Sequence, residues 1–127
     1  MSPLASALLV FAVALAPWPT PAGAHAVLVG SVPPARATLS APPARVALSF
    51  SERLEPAYAR VSVWDAAGAQ VDLKDAALEP DNGKVLTVSL RPLGPGRYTV
   101  RYRVLSVDGH VVESSFPFTV GNQTRRP

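Results

Sequence analysis

The sequence predicts an all-β domain, a Greek-key antiparallel β-sandwich or barrel of about seven short strands. Three observations predict it. Apolar side chains recur at every second position in five separate stretches, the period of a strand that buries one face. Proline and glycine pairs punctuate the gaps between those stretches, as turns require. No stretch sustains a helical apolar period.

The elements follow in chain order. Residues 1–24 carry no charged side chain. Their apolar core, Leu8 to Leu15, is shorter than the roughly 20 apolar residues that span a bilayer. Pro17, Pro19 and Pro21 follow it, then the small residues Ala22-Gly23-Ala24. This is the layout of a secretory signal peptide cleaved after Ala24, which predicts export and a mature chain that begins with His25. The domain is expected over 25–121, with a flexible tail at 122–127.

Within the domain, residues 26–32 form a first strand, and Pro33-Pro34 and Pro42-Pro43 exclude a central strand at those points. Val46, Leu48 and Phe50 alternate with Ala47 and Ser49, and Val61 and Val63 with Arg60 and Ser62. Residues 69–73 are a further strand candidate, and Ala76-Ala77-Leu78-Glu79 suits a single helical turn. Asp81-Asn82-Gly83 turns into a strand carrying Leu86, Val88 and Leu90. Gly94-Pro95-Gly96 turns into the next, with Tyr98, Val100, Tyr102 and Val104 inward and Arg97, Arg101 and Arg103 on the wet face. The last strand carries Phe116, Phe118 and Val120. Pro117 lacks a backbone donor, so that strand must lie at an edge or bulge there.

Composition narrows the function. All twelve basic and nine acidic residues lie after residue 24, for a net charge of +3. That mild, dispersed excess is poor evidence for nucleic-acid binding. No second apolar run follows the leader, so no membrane span is expected in the mature chain. Cysteine is absent, which removes disulfides, thiolate ligands and cysteine nucleophiles. The single methionine is Met1 and leaves with the leader, so a thioether site suited to Cu(I) is not expected.

The chain has two histidines, His25 and His110. A mature N-terminal His25 offers an α-amine and an imidazole on one residue, which chelate a metal together. His110 adds a third nitrogen. Asp108 adds a carboxylate oxygen two residues away, on the same side of an extended segment, with Gly109 permitting a tight bend. Three nitrogens and one oxygen in a plane suit a single Cu(II) ion, which tops the affinity order at N/O sites. Zn(II) would draw the same donors toward a tetrahedron. Asp-Gly is also a strong hairpin signal, and Val107 to Val111 reads equally as a plain turn between two strands.

The sequence resembles the CopC family of periplasmic copper-binding proteins. The resemblance rests on the histidine after the cleavage site, on Ser31-Val32-Pro33-Pro34 and Leu39, and on Pro43 through Glu52. It continues with Gly96-Arg97-Tyr98-Thr99-Val100, Val104-Leu105-Ser106-Val107-Asp108-Gly109-His110, and Phe116-Pro117-Phe118-Thr119-Val120. It implies an immunoglobulin-like or cupredoxin-like sandwich whose Cu(II) ligands are His25, Asp108 and His110. Glu52, after Phe50-Ser51, would accept a hydrogen bond from the amine or a ligand imidazole and orient it; it also reads as a solvated strand-end carboxylate. The implied function is a copper carrier or buffer in copper homeostasis or resistance, not an enzyme, with a CopD-type inner-membrane protein as a possible recipient. The chain departs from the family in lacking the methionine-rich Cu(I) site of some members. It also carries Tyr102, Val111 and Ser114 where tryptophan, proline and glycine are common.

Two other classes of function stay open at this level. A histidine-brace copper oxidase or monooxygenase would share an N-terminal histidine, but needs an open coordination position that Asp108 would fill. Trp64 and three tyrosines are a thin supply for a stacked polysaccharide surface, and Trp64 is expected to pack at a strand end. A metal-free adhesion or structural sandwich would need neither histidine.

Overall fold

A computed structural model describes residues 26–122, with Ala12, Ala14, Ala16 and Pro17 of the leading segment. His25, the remainder of 1–24 and residues 123–127 lie outside the described residues. The expectations of a signal peptide, of a ligand at His25 and of a frayed tail beyond Asn122 therefore fall there too.

Among the described residues, eight strands form two four-stranded sheets. The strands are β1 (Leu28–Val32), β2 (Thr38–Leu39), β3 (Arg45–Phe50), β4 (Arg60–Asp65), β5 (Ala77–Glu79), β6 (Asn82–Ser89), β7 (Gly96–Leu105) and β8 (Val111–Val120). One sheet has the order β1-β3-β6-β5 and the other β2-β8-β7-β4. The chain crosses between them after β1, β2, β3, β4 and β6, and stays within a sheet only at the β5–β6 and β7–β8 hairpins. The surplus over seven strands comes from β2 and β5, with two and three residues. Segments so short carry too few residues to show an alternation.

Most of the core is the set of side chains that the period-two pattern picks out, joined by Ala26, Leu54, Ala59 and Leu93 from outside the strands. Val46, Leu48 and Phe50 of β3 and Leu86 and Val88 of β6, with Leu90 just beyond, face Val61 and Val63 of β4, the β7 set and the β8 set; all are buried. A fully buried Leu, Val or Phe side chain contributes about 1.5–3 kcal/mol relative to exposure. In a domain without disulfides this packing holds the two sheets together. Tyr98 stacks on Phe118 at 5.4 Å, and Tyr102 meets Phe50 edge-on at 5.5 Å, so a ring still fills the position where tryptophan was the commoner expectation. Arg97, Arg101 and Arg103 alternate with these side chains and are exposed.

Three local expectations change. Residues 69–73 do not form a regular strand. Asp72 is buried there, and its carboxylate takes the Val63 N–H at 2.9 Å, the Lys74 N–H at 2.9 Å and the Gln70 side-chain amide. A side chain thus accepts a donor that a neighbouring strand's carbonyl would otherwise take, and only isolated bridges remain. Residues 76–79 are not a helical turn: Ala77–Glu79 pair with β6. The sheet offers them backbone partners that one helical turn of this length lacks. Finally, β2 runs parallel to β8, so the pairing is not wholly antiparallel.

Pro117 sits where its missing donor does no harm. Its carbonyl accepts the Arg36 N–H at 2.7 Å, and Thr119 donates to Ala37. The Arg36–Ala37 turn that leads into β2 covers this flank of β8, and at Pro117 it asks for an acceptor and not for a donor. Gly121 donates to Leu39 at 2.8 Å, which ties down the first residue after β8.

Candidate metal-binding loop

The hairpin between β7 and β8 carries both histidine-loop residues singled out from the sequence. Ser106 donates its N–H to the His110 carbonyl at 2.9 Å, and Gly109 donates to the Ser106 carbonyl at 2.9 Å. Val107, Asp108 and Gly109 are thereby the three residues of a tight hairpin loop. Gly109 has φ +93°, the left-handed third position that such loops reserve for glycine. Asp108 and His110 are therefore brought together by a turn and not by the extended segment expected from their spacing. The turn and the juxtaposition are one feature.

Their side chains meet. Asp108 Oδ1 lies 3.1 Å from His110 Nδ1. Ser106, fully buried, donates its hydroxyl to the same Asp108 oxygen. The Ser106 hydroxyl also lies 3.3 Å from both the His110 nitrogen and its carbonyl oxygen. The Ser106 hydroxyl, and secondarily His110, hold the Asp108 carboxyl below the usual carboxylate range. The group stays ionised into acid and is ready as an anionic ligand without a proton to displace.

A second segment fixes the loop from below. Glu55 donates to Leu105 and Val107 donates to Arg53, at 2.8 and 3.0 Å. Leu54 is buried and bridges Ser106. This is the stretch that follows β3, and it also receives the start of the domain. Val27 donates its N–H to Ser51 Oγ, and Ser51 returns its own N–H to the Val27 carbonyl, both at 2.9 Å. Ala26 is fully buried and lines one groove with Val112, two residues beyond His110. Glu52, next to Ser51, is half-buried, and its carboxylate makes no hydrogen bond or ion pair among the described residues.

Thus Asp108 and His110 converge, and Glu52 lies on the segment that anchors both the loop and the chain entry. Sequence reasoning gave no role to Ser106 or Ser51. Both stand in short runs the sequence already singled out, Ser106-Val107-Asp108-Gly109-His110 and Phe50-Ser51-Glu52. The signal available was a hydroxyl two residues before an aspartate at a turn, a common local bonding pattern.

Among the described residues no three His, Asp or Glu side chains converge, so Asp108 and His110 are a pair of donors that would need others to complete a metal site. Two donors each ~2.0 Å from one ion stand ~2.8 Å apart at a right angle and ~3.3 Å apart at the tetrahedral angle. The observed 3.1 Å lies between these values and is equally the distance of a hydrogen bond. No helix among the described residues is long and apolar enough to cross a membrane.

The comparisons agree with this reading of the fold. The CopC domain model matches residues 28–121. The chain is 33% identical over 115 residues to the copper transport protein CutJ of Bacillus subtilis, covering 90% of this chain but 21% of that protein. The chain thus spans about a fifth of that relative's length. Among solved structures, CopC from Methylosinus trichosporium OB3b superposes with a TM-score of 0.73 at 37% identity, covering 81% of this chain and all of that one. PcoC of Escherichia coli, described as a methionine-rich copper resistance protein, superposes with a TM-score of 0.67 at 29% identity, covering 76% of this chain and 99% of that one. With nearly the whole described sandwich matched, the chain belongs to the CopC family.

Proposed function

We propose that this chain is an exported copper carrier or buffer that binds one Cu(II) ion through three nitrogens and one oxygen. The donors are the α-amine and imidazole of His25, the His110 imidazole and the Asp108 carboxylate. The observation that carries the reading is the 3.1 Å approach of Asp108 to His110, at the end of the sandwich where Ser51 anchors Val27. His25 is two residues before Val27 in sequence, so a chain that starts there has its amine within two Cα steps, about 7.6 Å, of that anchor. The copper names of the relatives support the choice of metal, and the N/O donor set supports the divalent ion.

Glu52 takes the orienting role: a half-buried carboxylate beside the chain entry accepts a hydrogen bond from the amine or an imidazole. A thioether site is no part of the proposal, since Met1 is the only methionine. Nor is catalysis, because Asp108 takes the position that oxygen chemistry would need open. Delivery would be to a membrane protein of the CopD type, from the periplasm.

The test is mass spectrometry of the exported protein followed by Cu(II) titration with electron spin resonance. The expected result is a terminus at His25 and hyperfine structure from three nitrogens, with a two-nitrogen signal or none in His110→Ala. A different terminus, or an unchanged spectrum and affinity in His110→Ala, overturns the ligand assignment.

A further inference from the structure

We propose that the outer face of the β2-β8-β7-β4 sheet is a docking surface for an acidic protein partner. The surface runs from Tyr58 and Val111, beside the histidine loop, through Arg60 and Arg103 to Arg101 and Trp64. Two adjoining grooves define it. One is lined by Tyr58, Val111, Arg60 and Arg103, and the next by Arg60, Arg103, Arg101 and Trp64. Arg60 and Arg103 line both, so the surface is continuous.

The register makes this arrangement costly for the fold. Arg60 of β4 stands directly opposite Arg103 of β7, and like charges directly opposite one another on antiparallel strands destabilise the pair. Glu113 relieves this only in part, at 3.8 Å from Arg103, with both side chains well exposed. Arg101, two residues along the same face, stacks on Trp64 at 5.2 Å from the ring centre. Tyr58 and Val111 expose 62% and 54% of their surface at the end nearest His110.

A half-buried Trp64 with an exposed Tyr58 and exposed arginines in one continuous patch has the composition of an interface core. The excess of guanidinium groups selects carboxylates as their counterpart. Glu113 inside the patch weighs against a phosphate backbone, and two exposed apolar side chains are too few to insert in a lipid surface. The surface stands on its own geometry. If the adjoining loop holds copper as proposed above, the partner would be seated beside the metal.

The test uses 15N-labelled whole protein and a synthetic peptide of glutamates flanking one phenylalanine. The expected result is shifts at the Trp64 indole N–H, Val111 and the Arg101 and Arg103 amides, with affinity falling about tenfold from ~20 to ~200 mM salt. Arg60→Glu should weaken peptide binding about tenfold, leave Cu(II) titration unchanged, and raise the thermal midpoint by relieving the Arg60–Arg103 repulsion. His110→Ala should keep peptide binding, which separates this proposal from the copper reading. No shifts at these residues, equal peptide binding by Arg60→Glu, or stronger shifts at the same residues with a DNA duplex or phosphatidylglycerol vesicles overturns it.

Discussion

Replacing Ser106 by alanine separates the role of the loop's organiser from that of its proposed ligands. The hydroxyl donates to Asp108 Oδ1 and stands 3.3 Å from the His110 nitrogen and carbonyl oxygen. Losing it leaves the backbone turn intact, because that is closed by Ser106 and Gly109 main-chain bonds. The buried hydroxyl's own net contribution to stability is about 1 kcal/mol, so the variant should fold and unfold cooperatively with a small fall in the urea midpoint. The larger effect is on the pair. Without its principal hydrogen-bond donor the Asp108 carboxyl should titrate closer to the ordinary carboxylate range. The carboxylate also loses the contact that aims it at His110, and outer partners of this kind are worth about 10–100-fold in metal affinity. A group whose folded pKa is depressed adds stability above its unfolded pKa and loses it as pH falls through the folded value. In Ser106→Ala that loss should therefore be smaller and be complete at higher pH than in the parent, its onset being set by the unchanged unfolded pKa. The assays are carbon-detected NMR titration of the Asp108 carboxyl, and Cu(II) competition titration. An unchanged Asp108 titration together with unchanged copper affinity would refute the role given to Ser106.

Two further substitutions test the scaffold. Asp72→Ala removes a buried carboxylate that pairs two backbone donors, those of Val63 and Lys74. The Lys74 N–H is near solvent and can turn to water, so the buried Val63 donor sets the loss, about 1–3 kcal/mol by urea denaturation; a loss within measurement error would show that water satisfies it too. Gly109→Ala places a Cβ in open space but at φ +93°. Strain alone should cost about 1–2 kcal/mol and displace Asp108 from His110, seen as a weaker Cu(II) complex in the same titration; unaltered stability would mean the loop relaxes to another turn.

The alternation in the sequence named the strand-borne part of the core, though not Ala26, Leu54, Ala59 and Leu93, which join it from outside the strands. Every inward residue expected on β3, β4, β6, β7 and β8 is buried, because a strand with one wet face imposes its period on composition directly. The arginines of β7 fell on the wet face by the same rule, and Trp64 lies next to the end of β4, its indole N–H on Ser62. The misses have one cause. β2, β5 and the Asp72 strap depend on what a distant segment offers: a parallel neighbour for Thr38, a β6 edge for Leu78, and Val63's N–H for a carboxylate nine residues on. None of these leaves a local period.

The candidate site divides along the same line. Asp108 and His110 were legible because residues two apart across a glycine have few ways to avoid one another, so local chemistry alone nominates them. Their actual meeting at a turn, the Ser106 hydroxyl behind them, and the fastening of Val27 to Ser51 are tertiary facts. Each is a bond between segments that only the closed sandwich brings to one end. Residue types and spacing determined which donors exist and which metal they would prefer. Sheet packing decided which of the described residues share that end, since hydrogen bonds between remote strands are set by register and not by any neighbour in the chain.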